Sequence, residues 1–154
     1  MILHNATKRA KRFFRSFGKD TGASALIIAA FGAPMIVGGG GLAVDFAQFY
    51  LWKRELQFAA DQAAIAAAWD LANNPTRTTY VSRGLTEFGT NEAVTKDFNT
   101  TPNIVRSNYA GEIGNAVSVT VAATKMLPFT SYFTGSATTV SIYSQAAFTG
   151  GLVT

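Results

Sequence analysis

ASALIIAAFGAPMIVGGGGLAV, residues 23–44, is an unbroken run without a single charge. As a helix rising about 1.5 Å per residue it reaches roughly 30 Å, the thickness of a bilayer's hydrocarbon core, where every backbone N–H must be satisfied internally. The stretch predicts a single N-terminal transmembrane helix. Before it stand Lys8, Arg9, Lys11, Arg12, Arg15 and Lys19 against Asp20 alone, a net of +5, whereas residues 45–154 carry seven basic and eight acidic groups. The formal charge of +4 for the whole chain therefore belongs to the segment before Ala23. Positive charge beside a span is retained in the cytoplasm. The reading is a basic cytoplasmic segment over residues 1–22, a membrane helix over 23–44 and an exported domain over 45–154.

The basic segment meets anionic lipid headgroups rather than nucleic acid. Each Lys or Arg near such a surface contributes about 1 kcal/mol, and Phe13 and Phe14 sit beside Arg12 and Arg15 as in juxtamembrane amphipathic segments. Asp20 is placed to cap the helix near Thr21 and Gly22. A cleaved signal peptide is the rival. The apolar run is longer than a signal peptide's apolar region and no A-x-A site follows, so the anchor is expected to be retained. Within the span Ala25, Ala29, Gly32, Ala33, Gly38, Gly39 and Gly41 give a small-residue face, and close packing against another helix is the main source of association in lipid. Four consecutive glycines, Gly38 to Gly41, cost roughly 1 kcal/mol each relative to Ala in an isolated helix. A helical partner is expected there: other membrane protein subunits, further copies of this chain among them. Pro34 is expected to kink the helix.

Residues 45–73 contain neither Gly nor Pro and place Phe49, Trp52, Leu56, Ala60, Ala63, Ala67 and Leu71 at three- and four-residue spacing, the period of an amphipathic helix. One helix should therefore leave the bilayer and continue into water, about 40 Å from Leu42 to Leu71. Phe46, Phe49, Tyr50 and Trp52 are read as an aromatic belt at the exit. Asp45 is read as an acid held at the interface, the alternative being a pairing with a neighbouring chain. Asn73, Asn74 and Pro75 end the helix. Residues 78–88 suggest a short helix with Tyr80, Val81, Leu85 and Phe88 on one side, and residues 92–98 a further helical turn. Residues 104–109, 116–123 and 138–147, rich in Val, Thr, Ile and Tyr and divided by Gly111, Gly114, Asn115 and Gly135, read as strands. The expected fold is α+β: the long helix packed on a small antiparallel sheet, with Leu56, Ala60, Ala63 and Ala67 as the sheet-docking face. The closing GGLVT is read as a loose end or an added edge contact.

Catalysis is poorly supplied. The chain has no Cys, and its one histidine, His4, lies in the basic segment, so thiol chemistry, disulfides, Cys-ligated metals and His-based triads are excluded within one copy. Asp61, Asp70, Glu87, Glu92, Asp97 and Glu112 lack the D-x-D-x-D-G spacing of a calcium loop and read as solvated or capping groups. Arg54 and Glu55 point apart on the helix and read as a solvated face. GGGG is not a phosphate loop, because no Gly-Lys-Ser/Thr follows. No cofactor, metal or catalytic residue is assigned.

GLAVDFAQFYLWKRELQFAADQAAIAAA, residues 41–68, resembles the N-terminal signature of the TadE/TadG-like proteins of tight-adherence (Tad) pilus assembly. Gly41, Ala43, Val44 and Asp45 meet the family's Gly-x-Ala-Val-Asp, and Leu56, Gln57, Ala59, Ala60 and Asp61 its Leu-Gln-x-Ala-Ala-Asp. LPFTSYF and TVSIYSQAAF give a weaker echo of its Pro-x-x-Phe and final strand. Members processed like pilins have a Gly at the cleavage point and a Glu five residues on. Here Gly22 is present but Ile27 stands at the Glu position, so the chain is more similar to TadG-type members that keep their N-terminus. The resemblance implies a bitopic bacterial inner-membrane protein with a periplasmic or extracellular C-terminal domain. It would be a pilin-like minor component or assembly factor of a Tad-type pilus or secretion system, without enzymatic activity. The alternative is an accessory structural subunit of another bacterial membrane complex, bound through the same small-residue helix.

Overall fold

The computed structural model describes residues 21–149. In chain order the elements are α1 (Thr21–Asn73), α2 (Thr79–Asn91), β1 (Asn103–Tyr109), β2 (Glu112–Lys125), α3 (Thr130–Thr134) and β3 (Thr138–Ala147). The chain divides into two compact units, Met1–Ala43 and Val44–Thr154.

In the first unit the described residues are the opening part of α1. The helix runs through Pro34, and Leu26, Ile28, Phe31, Met35 and Ile36 are all at least 70% exposed. By length and composition α1 is the one helix among the described residues suited to crossing a membrane. The basic side chains at 8, 9, 11, 12, 15 and 19, the proposed cap at Asp20 and the closing GGLVT lie outside the described residues.

In the second unit α1 is helical without interruption past Tyr50, as expected of a segment with no breaker. It ends where Asn74 N–H donates to the Asp70 carbonyl at 2.8 Å and Asn73 Nδ2 donates to the Trp69 carbonyl at 2.7 Å. One stripe of the helix is buried: Trp52, Leu56, Ala59, Ala60, Ala63, Ala64, Ala67, Ala68 and Leu71. Alanines bury little area each, but they let neighbours come close. At α2 the neighbour does so: a Cβ added to Gly84 would lie 3.2 Å from both the Ala63 carbonyl oxygen and the Ala67 Cβ. α2 presents Gly84 and Phe88 to the core, with Tyr80 and Val81 packed at its edge. Leu85 remains exposed.

The sheet has order β1-β2-β3, antiparallel throughout. Alternation in the central strand sends Val117, Val119, Val121 and Ala123 into the core with Ile104, Val140 and Ile142, each large aliphatic contributing about 1.5 to 3 kcal/mol on full burial. β1 turns into β2 through Ala110 and Gly111, both at positive φ (52° and 85°), as a tight hairpin between twisted strands requires. The strand positions match the sequence expectation, with β2 longer at both ends.

Two local expectations fail. Residues 92–98 are bends and turns rather than a helical turn. A short helix, α3, forms at Thr130–Thr134, which local periodicity did not indicate. Both departures have one cause: a carboxylate of α1, far away in sequence, holds the backbone N–H groups of each segment.

Candidate functional site

α1 carries four acids, Asp45, Glu55, Asp61 and Asp70, and each accepts a hydrogen bond from a side chain or backbone group elsewhere in the second unit. Asp45 is 2% exposed. Its carboxylate accepts from Phe129 N–H at 3.1 and 3.2 Å and from Thr130 N–H, fixing the start of α3. Burial pushes this carboxyl up, but the hydrogen bonds from Thr130 backbone and side chain and from Phe129 backbone outweigh that and hold it below the usual aspartate range. Asp45 is therefore hydrogen-bonded within its own chain, its carboxylate taken up by backbone N–H groups of the second unit.

Glu55 is likewise no solvated face. Its Oε1 accepts from Ala93 N–H at 3.0 Å, Thr95 N–H at 2.9 Å and the Thr95 hydroxyl at 2.8 Å, and its Oε2 accepts from Val94 N–H at 3.0 Å. Desolvation raises its pKa, and these four donors together lower it below the ordinary value. Stabilising the charged form by several donors is the ordinary cause of such a depression. Asp61 accepts from Gln57 Nε2 at 2.8 Å and from the Ser144 hydroxyl of β3 at 2.6 Å. Asp70 accepts from the Thr79 hydroxyl at 2.6 Å and from Asn74 Nδ2 at 3.2 Å, tying the start of α2 to α1. Glu92 accepts from Asn99 Nδ2, and Glu112 from Asn115 Nδ2 at 3.0 Å.

The signal for Glu55 was present in the spacing. It stands three residues after Trp52 and four before Ala59, so it shares their stripe. An acid on a buried stripe must be satisfied there. Asp45 obeys the same rule, four residues before Phe49 and seven before Trp52. What sequence spacing lacks is the identity of donors on distant stretches of the chain.

The aromatic belt needs one correction as well. Trp52 is buried at 5% exposure and meets Phe98 edge-to-face at 5.1 Å, while Phe49 packs against the core. Phe46 and Tyr50 remain open, at 72% and 68% exposure. A second open row runs along the helix in the second unit: Leu51, Phe58, Ile65 and Trp69, each more than half exposed and spaced by seven, seven and four residues. A small apolar cleft of about 210 Å³ is lined by Asp45, Phe46, Phe49, Leu127, Thr130 and Thr138; its one charged group is already occupied by backbone donors.

For the remaining sequence candidates, Ala25, Ala29 and Ala33 are exposed and share one face at four-residue spacing, with Gly39 exposed and Gly32, Gly38 and Gly41 half-buried. A Cβ added to Gly32, Gly38, Gly39 or Gly40 would meet nothing within 4 Å. Leu56, Ala60, Ala63 and Ala67 are fully buried, in one cluster with the inward residues of the sheet; at Ala63 and Ala67 the close neighbour is Gly84 of α2. Among the described residues no group of three or more His, Cys, Asp or Glu could hold a metal ion.

Residues 22–70 match the family described as putative Flp pilus-assembly TadE/G-like. The matched segment is α1 almost entire, from Gly22 to Asp70, its last acid. No curated protein and no solved structure matches the chain.

Proposed function

We propose that this TadE/TadG-like chain, a Tad-related membrane protein by its α1 segment, is a non-enzymatic structural or assembly subunit of a Tad-type pilus or secretion system. On this reading it is held in the bacterial inner membrane with its N-terminus cytoplasmic and residues 45–154 exported. The observation that carries the reading is where the family match falls: on the anchor helix over residues 22–70. The faces of that helix agree with an assembling role. Side chains at 38, 39 and 40 would meet open space among the described residues, so nothing there requires glycine, although glycine costs a helix about 1 kcal/mol per residue. A close neighbouring helix is a physical reason to keep them. The open row of Leu51, Phe58, Ile65 and Trp69 offers a second unpartnered stripe beyond the span.

The test is the double substitution Gly38→Leu with Gly39→Leu in the native host. Insertion is expected to persist, because leucine is more apolar and a better helix former, while recovery of the chain with Tad pilus-assembly components in mild detergent should fall several-fold. Unchanged recovery would mean that this face meets only lipid. Recovery with a different membrane complex, and not with the pilus-assembly fraction, would favour the accessory-subunit alternative.

A further inference from the structure

We propose that α3 and the turn before it form a second membrane contact, an interfacial foot whose Met126, Tyr132 and Phe133 rest in the headgroup layer of the bilayer that α1 enters. This rests on the reading of residues 23–44 as a membrane span and adds to it a site in the second unit.

Three observations converge on lipid as the occupant. Met126, Tyr132 and Phe133 are 60%, 84% and 73% exposed, yet the segment bearing them is not loose. Leu127 is anchored in the core at 4% exposure. Ser131 N–H donates to the Leu127 carbonyl at 3.0 Å, Gly135 N–H donates to the Ser131 carbonyl at 2.8 Å, and the Ser131 hydroxyl donates to the Ser136 carbonyl at 3.0 Å. Tyr132 and Phe133 meet edge-to-face at 5.4 Å, with Phe129 6.1 Å from Phe133. The fold thus holds aromatic side chains outward.

The second observation sets their height. The Asp45 carboxylate binds the Phe129 and Thr130 N–H groups, and Asp45 is the residue immediately after the uncharged run of 23–44. α3 is thus held at the level of Asp45 on α1, since five helical residues extend only about 7 Å. The third observation is chemical. Residues 126–137, MLPFTSYFTGSA, contain no charge, and Lys125 precedes them. Tyr and other rings with an apolar body favour the water–bilayer boundary, and a basic residue beside them favours anionic headgroups. Phe46 and Tyr50, open on α1, lie within five residues of Asp45 on the same chain.

The sheet supplies an internal control. Lys125 pairs with Thr138, at the α3 end of β2 and β3, while Ala116 pairs with Ala147 at the other end, next to the Tyr109–Glu112 turn. Nine strand residues separate the ends by about 30 Å. Tyr109 is 51% exposed and should stand well clear of lipid.

Because the chain has no Cys, single-cysteine variants of the full chain carry a spin label at one place only. Phe133→Cys, Tyr109→Cys and Ile28→Cys are reconstituted in vesicles of phosphatidylethanolamine and phosphatidylglycerol, and collision with oxygen is compared with collision with a water-soluble nickel chelate. The expected ratio is highest at 28, several-fold above the water value at 133, and at the water value at 109. A label at 133 matching the one at 109, with 28 still oxygen-favoured, overturns the foot and leaves the anchor reading intact. A water value at 28 overturns both. Adding Asp45→Ala to the Phe133→Cys variant should bring its ratio down toward that of 109 while a label at 28 is unmoved; an unchanged ratio at 133 would remove Asp45 as the element that sets the height.

Discussion

Glu55 and Gly84 are the positions where a single atom group decides how the second unit closes. Glu55→Gln keeps one carbonyl acceptor but turns the other end of the side chain into a donor that faces backbone N–H groups. Hydrogen bonds to a charged acceptor contribute about 1.5 to 3 kcal/mol, and partial solvent access brings the net toward about 1 to 2 kcal/mol here. Urea unfolding in mild detergent at neutral pH should show a loss of that order. The pH dependence follows in sign. The folded carboxyl lies below its ordinary 4.5, so the unfolded chain binds the proton first on acidification. The contribution is whole above 4.5 and is lost as pH falls through the lower folded value. Wild type should therefore lose more stability than Glu55→Gln between neutral pH and acid; parallel curves for the two proteins would show that Glu55 is not the titrating group. Gly84→Ala sets two effects against each other. Helix propensity gains about 1 kcal/mol, but the new methyl meets the Ala63 carbonyl and Ala67 Cβ of α1 at 3.2 Å. These belong to a rigid helix, whereas the Ile104 Cδ1, at 2.7 Å, can rotate away. Overpacking of about 1 to 3 kcal/mol outweighs the gain, and the unfolding midpoint should drop.

At the scale of elements, α1 is defined by which of its faces is small. Ala63→Phe inserts a ring between α1 and α2 where Gly84 already leaves no free space, and limited proteolysis should cut the variant in the second unit sooner than wild type. Equal protection would mean that the two helices separate without cost. α1 was legible from its sequence because its periodicity is local: breaker-free residues 45–73 and alanines at helical spacing need no distant partner to be recognised. The strands were legible for the same reason, from the alternation of Val117, Val119 and Val121 and from the turn glycines Gly111 and Gly135. α3 and residues 92–98 were not. Their conformations are set by Asp45 and Glu55, which reach them across long stretches of intervening chain, and neither short segment is long enough to declare a period. Trp52 was misplaced through the same limitation, since an aromatic near a span end has the same composition whether it faces lipid or Phe98. Of the candidate surfaces, the small-residue face and the alanine stripe were readable as patterns, while the exposed Tyr132 and Phe133 became notable only once Asp45 fixed where they stand.

The whole molecule divides its charge sharply, and that division gives a prediction about orientation. The +5 of residues 1–22 stands on one side of the uncharged run, and residues 45–154 are nearly neutral on the other. Moving six Lys and Arg groups through the bilayer costs several kcal/mol each, whereas the second unit ties up its α1 acids in internal hydrogen bonds and presents little net charge to a translocation pathway. If residues 45–154 are exported, as proposed, the absence of cysteine makes those hydrogen bonds consequential, because exported units of this size are often braced by disulfides and this one has none to form. Ser16→Cys and Tyr143→Cys, the latter at a residue 60% exposed on β3, report the two sides separately. In spheroplasts, a membrane-impermeant maleimide added from the exported side should label Cys at 143 and leave Cys at 16 unreacted until the membrane is permeabilised. Labelling at 16 from the exported side would reverse the topology. Loss of the residue-16 label from the mature chain, with a new N-terminus at Ala23 by sequencing, would instead show that the chain is processed after Gly22 in spite of Ile27.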